Sequence, residues 1–170
     1  MKEKTKLVCD RETENSRRNF LNNASCAILG ALVASGISAA DALTFPIIEI
    51  AADTAHGTEF TYPLPATDGV SIDQNNDVIL VRSVNRFSAF CLACPHENTA
   101  LHWQPQDNQF QCPQHKAKYR PDGTWMAGRP TRNMDRFALR LEDQKVIVDT
   151  GKLYRSDQQR AEWDSAVLVL

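Results

Sequence analysis

The sequence predicts an all-β fold for the part of the chain that follows residue 40. Short apolar stretches alternate there with clusters of turn-forming residues, which is typical of strands joined by tight connections. No long segment in this part repeats its apolar residues with the period of a helix. Residues 41–170 are long enough to form one compact domain with its own core.

Seven stretches are predicted as strands because each is apolar or alternates apolar with polar residues. Clusters of Asp, Asn, Gln, Gly and Pro separate several of them, at 73–76, 105–108 and 121–123 for example, and these residues tolerate the backbone geometry of turns. The predicted strands are 46–50, 58–62, 77–84, 87–92, 109–112, 136–141 and 145–149.

Two short motifs supply metal-binding side chains. Cys94-Pro95-His96 is a Cys-x-His pair, and Cys112-Pro113-Gln114-His115 is a Cys-x-x-His pair. Two thiolates and two imidazoles can hold a two-iron cluster in which one iron takes the Cys pair and the other takes the His pair. Both pairs fall in predicted loops at one end of a sheet, where functional residues are often placed.

The stretch 90–130 resembles the Rieske iron–sulfur family, whose two cluster-binding loops have the forms C-x-H and C-x-x-H. The resemblance implies an antiparallel β-sandwich with the cluster-binding loops at one end. It also implies one [2Fe-2S] cluster per chain, with Cys94 and Cys112 on the inner iron and His96 and His115 on the outer iron. Tyr119, four residues after the last His, and the turn Gly128-Arg129-Pro130, which matches a third loop of the family, fit the same pattern.

Three positions depart from the quinol-oxidising branch of the family. That branch carries one extra Cys in each loop, which form a disulfide, and a Ser two residues after the last His. This chain has Thr99 and Gln114 at the Cys positions and Ala117 at the Ser position, while Tyr119 is retained. Since hydrogen bonds to the sulfurs raise the potential, one donor in place of two predicts a midpoint in the middle of the Rieske range of about −150 to +300 mV.

A structural zinc site is the competing interpretation of the same residues. Cys91-x-x-Cys94 followed by Cys112-x-x-His115 also fits a zinc ribbon with three Cys ligands and one His ligand. In that case His96 has no role, and the chain is a zinc-stabilised structural or binding module. In the cluster interpretation Cys91 is instead an apolar residue of a predicted strand.

The N-terminus has the form of an export signal. Ser16-Arg17-Arg18-Asn19-Phe20-Leu21 resembles a twin-arginine motif, and an uncharged stretch follows it to residue 40. Residues 1–42 are therefore predicted to be a twin-arginine signal peptide or a signal anchor helix, and residues 43–170 a Rieske [2Fe-2S] domain. The stretch 24–40 is short and weakly hydrophobic for a spanning helix, so cleavage and weak anchoring to the inner membrane both stay open.

The predicted function is single-electron transfer in the periplasm. We expect an electron-transfer subunit of an oxidoreductase with no catalytic residues of its own, whose redox partner is a cytochrome c or a molybdenum subunit. The alternative is the Rieske subunit of a quinol:cytochrome c reductase, with cytochrome b and quinol as partners. Nucleic acid is not an expected partner, since the chain has a formal net charge of −2 and shows no basic patch with interleaved aromatic residues.

Overall fold

The computed structural model describes residues 45–129 and 131–170. The predicted signal or anchor helix at 1–42 and Pro130 of the third loop lie outside the described residues. No helix within the described part of the chain is long and apolar enough to cross a membrane.

Thirteen strands and one short α-helix are found in the described residues, which confirms the all-β prediction. A 3-10 turn at Pro105–Asp107 precedes the eighth strand. In chain order the elements are β1 (Ile47–Glu49), β2 (Thr54–His56), β3 (Glu59–Pro63), β4 (Gly69–Asp73), β5 (Val78–Ser83), β6 (Arg86–Cys91), β7 (His102–Gln104), β8 (Gln109–Gln111), β9 (Lys118–Tyr119), β10 (Trp125–Ala127), β11 (Arg136–Glu142), β12 (Lys145–Tyr154), α1 (Arg160–Ser165) and β13 (Leu168–Val169).

The strands form two sheets. The large sheet has nine strands in the order β1-β4-β5-β6-β11-β12-β3-β2, with β13 paired to β6 as well. The small sheet has the order β10-β9-β8-β7 and is inserted in the chain between β6 and β11. All pairs are antiparallel except β1 with β4, which are parallel, so the expected antiparallel sandwich has one parallel edge.

Two hydrophobic cores lie on opposite faces of β5 and β6. Phe90 of β6 faces the first core, which contains Phe110 and Tyr119 of the small sheet. The next residue, Cys91, faces the second core together with residues of β3, β11 and β12. This separation follows from the strand geometry, because successive side chains point to opposite faces. The first core therefore joins the small sheet to the large one.

The six strands that the sequence did not predict are mostly short or polar. β7 contains only His102, Trp103 and Gln104, of which Trp103 alone is buried, so its alternation of polar and apolar residues is too short to recognise.

β12 extends to Tyr154, beyond the predicted end at residue 149. A register shift between Phe137 and Ala138 of β11 lets β12 resume pairing beyond it, and bulges of this kind are hard to recognise from one sequence.

The C-terminal segment closes against the domain through Arg136. The Arg136 guanidinium lies 3.5 Å from the centre of the Trp163 ring and donates to the Trp163 carbonyl at 2.8 Å. The Trp163 indole N–H donates in turn to the carbonyl of Met134 at 2.7 Å. Burial lowers the pKa of Arg136 to about 10, which still leaves it charged at neutral pH, where a cation held against an aromatic face is stabilised.

Candidate metal centre

The first ligand loop, residues 94–99, is closed like a hairpin by backbone hydrogen bonds. The N–H of Cys94 donates to the carbonyl of Thr99 at 2.8 Å, and the N–H of Asn98 donates to the carbonyl of Cys94 at 3.0 Å. Asn98 takes a positive φ of 54°, a conformation that Asn tolerates better than most residues. A bridge between Ala93 and Ala100 continues the ladder below the loop.

The second ligand loop, residues 112–117, repeats this pattern. The N–H of Cys112 donates to the carbonyl of Ala117 at 2.9 Å, and the N–H of Lys116 donates to the carbonyl of Cys112 at 3.1 Å. Lys116 has a positive φ of 57° and occupies the same place after its Cys as Asn98 does in the first loop. The two loops thus present their Cys residues in matching backbone settings, one between β6 and β7 and the other between β8 and β9.

The sulfurs of Cys94 and Cys112 lie together in the first core. Both side chains are buried and neither is in a disulfide. The Tyr119 hydroxyl lies 3.7 Å from the Cys94 sulfur. Burial raises the pKa of the Cys94 thiol and the adjacent Cys112 adds to the rise, while hydrogen bonds from His96 and Tyr119 oppose it. Two thiolates in this position therefore need a compensating positive charge such as iron.

The imidazoles of His96 and His115 lie side by side nearer the surface. Their ring centres are 4.7 Å apart with an angle of 80° between the planes. Nδ1 of His96 is buried and has no hydrogen-bond partner among the described residues, an arrangement that is costly unless the atom binds something. The His115 side chain is 38% exposed, and its Nδ1 lies 4.0 Å from a carboxylate oxygen of Glu97.

These donors suit a two-iron cluster. Soft thiolates and neutral imidazoles are the donor types that iron–sulfur centres with mixed ligands use. The unpartnered Nδ1 of His96 supplies an atom free to coordinate. The structure thus places the four predicted ligands in one region, with the sulfurs buried and the imidazoles outside them.

Cys91 does not join this group. It faces the second core, on the side of β6 opposite to Cys94 and Cys112. The spacing Cys91-x-x-Cys94 also suits a zinc site. Side chains three residues apart on extended backbone point to opposite faces of a sheet, however, so Cys91 and Cys94 face different cores. The predicted zinc site with three Cys ligands is therefore not formed.

A polar contact joins the two loops where the quinol-oxidising branch carries its disulfide. The Thr99 hydroxyl donates to the side-chain oxygen of Gln114 at 3.2 Å, so the two positions that carry Cys in the quinol-oxidising branch are still neighbours here. Ala117 is fully buried and offers no hydroxyl. In the described part of the chain, the hydroxyl of Tyr119 contacts the Cys94 sulfur.

The third loop packs directly on the second. A Cβ atom added to Gly128 would lie 2.6 Å from Cα of Ala117, and Gly128 has a positive φ of 84°. Both facts require glycine at this position. The Trp125 indole N–H donates to the Gly128 carbonyl at 3.2 Å and fixes the loop from its other side.

Several further residues surround the two loops. Leu101 and Trp103 are buried in the first core, whereas His102 is exposed. Glu97 was not predicted from the sequence, although its place directly after His96 was a usable signal. The ion pair of Arg132 with Asp135 was not predicted either, because it comes from a segment far along the chain.

Comparison with known proteins agrees with this geometry. Residues 59–141 match the sequence model of the Rieske [2Fe-2S] domain. The cytochrome b6-f complex iron-sulfur subunit of Chlorobaculum tepidum is 26% identical over 143 residues, which cover 78% of this chain and 74% of that protein. The cytochrome b6-f complex iron-sulfur subunit 3 of Nostoc sp. is 46% identical over 55 residues, which cover 32% of this chain and 31% of that protein.

A solved structure is also similar, the cyanobacterial plasma membrane Rieske protein from Synechocystis PCC 6803. Its TM-score is 0.40 with 20% sequence identity, over 54% of this chain and 85% of that chain. The domain match covers both ligand loops and the strands that carry them. Residues 59–141 therefore form a Rieske iron–sulfur domain, and the protein is an electron-transfer protein with one [2Fe-2S] cluster.

Proposed function

We propose that Cys94 and Cys112 hold the inner iron of this cluster and that His96 and His115 hold the outer iron. The buried, unpartnered Nδ1 of His96 beside the His115 ring is the observation that carries the assignment. When bound, the cluster supplies a site that accepts and releases one electron at a time.

The burial of the surrounding residues determines on which side of the cluster electrons enter and leave. The two Cys side chains are buried beneath residues of the first core, which keeps water from the sulfur side. The His115 side chain is 38% exposed, so a partner can approach the cluster from the imidazole side. Electrons then arrive and leave through the His ligands, and the polypeptide performs no bond chemistry.

We further propose that the protein works in the periplasm and exchanges electrons with a cytochrome c or a molybdenum subunit. The twin-arginine pattern at residues 16–21 supports export of a folded, cluster-loaded protein, with residues 1–42 either removed or kept as an anchor. Ala117 and the Thr99–Gln114 contact support a partner other than quinol, because they remove one sulfur donor and the covalent link of the quinol-oxidising branch.

A quinol:cytochrome c reductase is the second candidate, since two relatives of this chain are subunits of cytochrome b6-f complexes. In that case cytochrome b and quinol become the partners. Membrane fractions with and without the protein separate the two candidates. Quinol-dependent reduction of cytochrome c that disappears with the protein would support the second candidate and refute the first.

The ligand assignment is tested by spectroscopy of matched variants. We expect the purified protein to contain two irons and two labile sulfides and to give the electron paramagnetic resonance signal of a reduced mixed-ligand cluster. His115→Gln should abolish this signal, while His102→Gln should retain it because His102 is exposed between the loops. A colourless zinc protein after normal maturation, or an intact signal in His115→Gln, would contradict the assignment.

A further inference from the structure

A polar cavity of about 240 Å³ opens beside the first ligand loop. The chain brings its walls together from three segments, namely the first loop, the residues before β11 and the residues after β12. The polar or loop residues that line it are Pro95, His96, Asn98, Arg132, Asp135 and Arg155. Its volume equals that of about eight liquid water molecules, which is enough for a small polyatomic ion.

The charges of the lining favour an anion. Arg132 forms a two-pronged ion pair with the buried carboxylate of Asp135, and that pair is locally neutral. Arg155 forms no ion pair or side-chain hydrogen bond through its guanidinium within the described residues. The lining thus carries two cations and one anion, and Arg155 also attracts the Asp135 carboxylate, whose pKa it lowers against the effect of burial. Asp157 lies 3.7 Å from Arg132 but outside the lining, and its side chain is 48% exposed.

The cavity wall is held in place before any ligand arrives. The carbonyl of Arg155 accepts from the N–H groups of Gln158 and Gln159 at 3.1 and 2.8 Å. The N–H of Asn133 donates to the Ser156 hydroxyl at 3.2 Å and ties the Arg132 segment to the Arg155 segment. These bonds fix the backbone that carries the Arg155 side chain, and the planar guanidinium has the donor geometry that suits a planar or tetrahedral oxyanion.

We propose that this cavity binds a carboxylate or phosphate oxyanion through Arg155, next to the outer side of the cluster. Binding itself does not depend on the proposed function. Its coupling to the cluster does, because His96 forms part of the wall. A negative charge there stabilises the more positive, oxidised cluster. By linkage, the anion then binds more tightly to the oxidised protein and lowers the midpoint potential until the site is saturated.

Inorganic phosphate is the probe, with sodium chloride at equal ionic strength as the reference. Calorimetry should show saturable phosphate binding to the full-length loaded protein, and the midpoint potential should fall with the same concentration dependence. Arg155→Gln should weaken phosphate binding by about tenfold or more, because a charge-assisted hydrogen bond is lost. Arg86→Gln, an equal charge change at the start of β6, should bind phosphate like the unchanged protein.

Acetate in place of phosphate distinguishes the two oxyanion classes, and saturable binding of either one supports the site. Equal binding by Arg155→Gln and the unchanged protein, or a phosphate effect no larger than that of chloride, would overturn the proposal. Arg155→Lys controls for folding, since it keeps the charge and should bind with intermediate affinity. Calorimetry can be repeated on colourless protein, so a failure of the cluster assignment stays distinguishable from a failure of this site.

Discussion

Replacing Tyr119 with Phe tests how the protein sets the potential of its cluster. The Tyr119 hydroxyl lies 3.7 Å from the Cys94 sulfur, and the ring is fully buried. Phe keeps the ring and removes the donor, so the packing of the first core should change little. Because a sulfur ligand carries more negative charge when the cluster is reduced, the lost hydrogen bond destabilises the reduced state more than the oxidised state.

The size of the effect follows from the energy of one hydrogen bond to a charged group. Such a bond contributes about 1.5–3 kcal/mol, and only the difference between the two oxidation states affects the potential. If about one third to one half of the hydrogen-bond energy differs between the oxidised and reduced states, the free-energy change is about 0.5–1.5 kcal/mol. For a one-electron couple, about 59 mV corresponds to a tenfold change in the equilibrium constant. We therefore expect Tyr119→Phe to lower the midpoint by about 20–60 mV in a potentiometric titration followed by electron paramagnetic resonance.

The same variant makes a prediction about pH. Burial raises the pKa of Tyr119 above its usual value, and the Cys94 sulfur adds to the rise. The protonated donor is then kept at pH values where a free phenol ionises, so the difference between Tyr119→Phe and the unchanged protein should stay constant from about pH 7 to about pH 10. An unchanged midpoint in Tyr119→Phe would refute the role of the hydroxyl, and a difference that vanishes near pH 9 would refute its raised pKa.

Three further changes test the surroundings of the ligands. Gly128→Ala should lower the free energy of unfolding by about 2–4 kcal/mol, through its positive φ and the clash with Ala117. Gly57→Ala, with a positive φ but no neighbour within 4 Å, should cost only about 1 kcal/mol, and equal losses in chemical denaturation would contradict the packing argument. Ala117→Ser should raise the midpoint by about 20–60 mV if the new hydroxyl reaches a sulfur, and voltammetry showing no rise would exclude that contact. Glu97→Gln removes a charge 4.0 Å from Nδ1 of His115 and should raise the midpoint by about 10–40 mV, an effect that must shrink in high salt.

The sequence predicted those parts of the structure that depend on local chemistry. The Cys-x-His and Cys-x-x-His motifs were recognisable because Cys and His at such short spacings have few packing explanations, and the long strands β5, β6 and β11 were recognisable by their apolar content. Cys91 shows the limit of spacing alone. Its distance from Cys94 in sequence suits zinc, yet the alternation of side chains along β6 sends it to the second core.

Features that depend on long-range contacts could not be predicted from one sequence. Nothing local indicates that Arg132 and Arg155 line one cavity with His96, since this follows from the pairing of β11 with β12. Strands of two or three residues, such as β9 and β10, owe their existence to the sheet beside them more than to their own composition. The burial of Arg136 against Trp163 likewise depends on how α1 packs against the start of β11.

The Arg136–Trp163 contact has a consequence for folding. Met134 and Arg136 lie where the small sheet joins β11, whereas their partner Trp163 comes 29 and 27 residues further along the chain. In a protein cut before residue 160, the Arg136 cation would lose the aromatic surface that covers it, and β6 would lose its pairing with β13. The domain therefore depends on segment 160–169 to close, and a version cut before residue 160 should be more susceptible to protease.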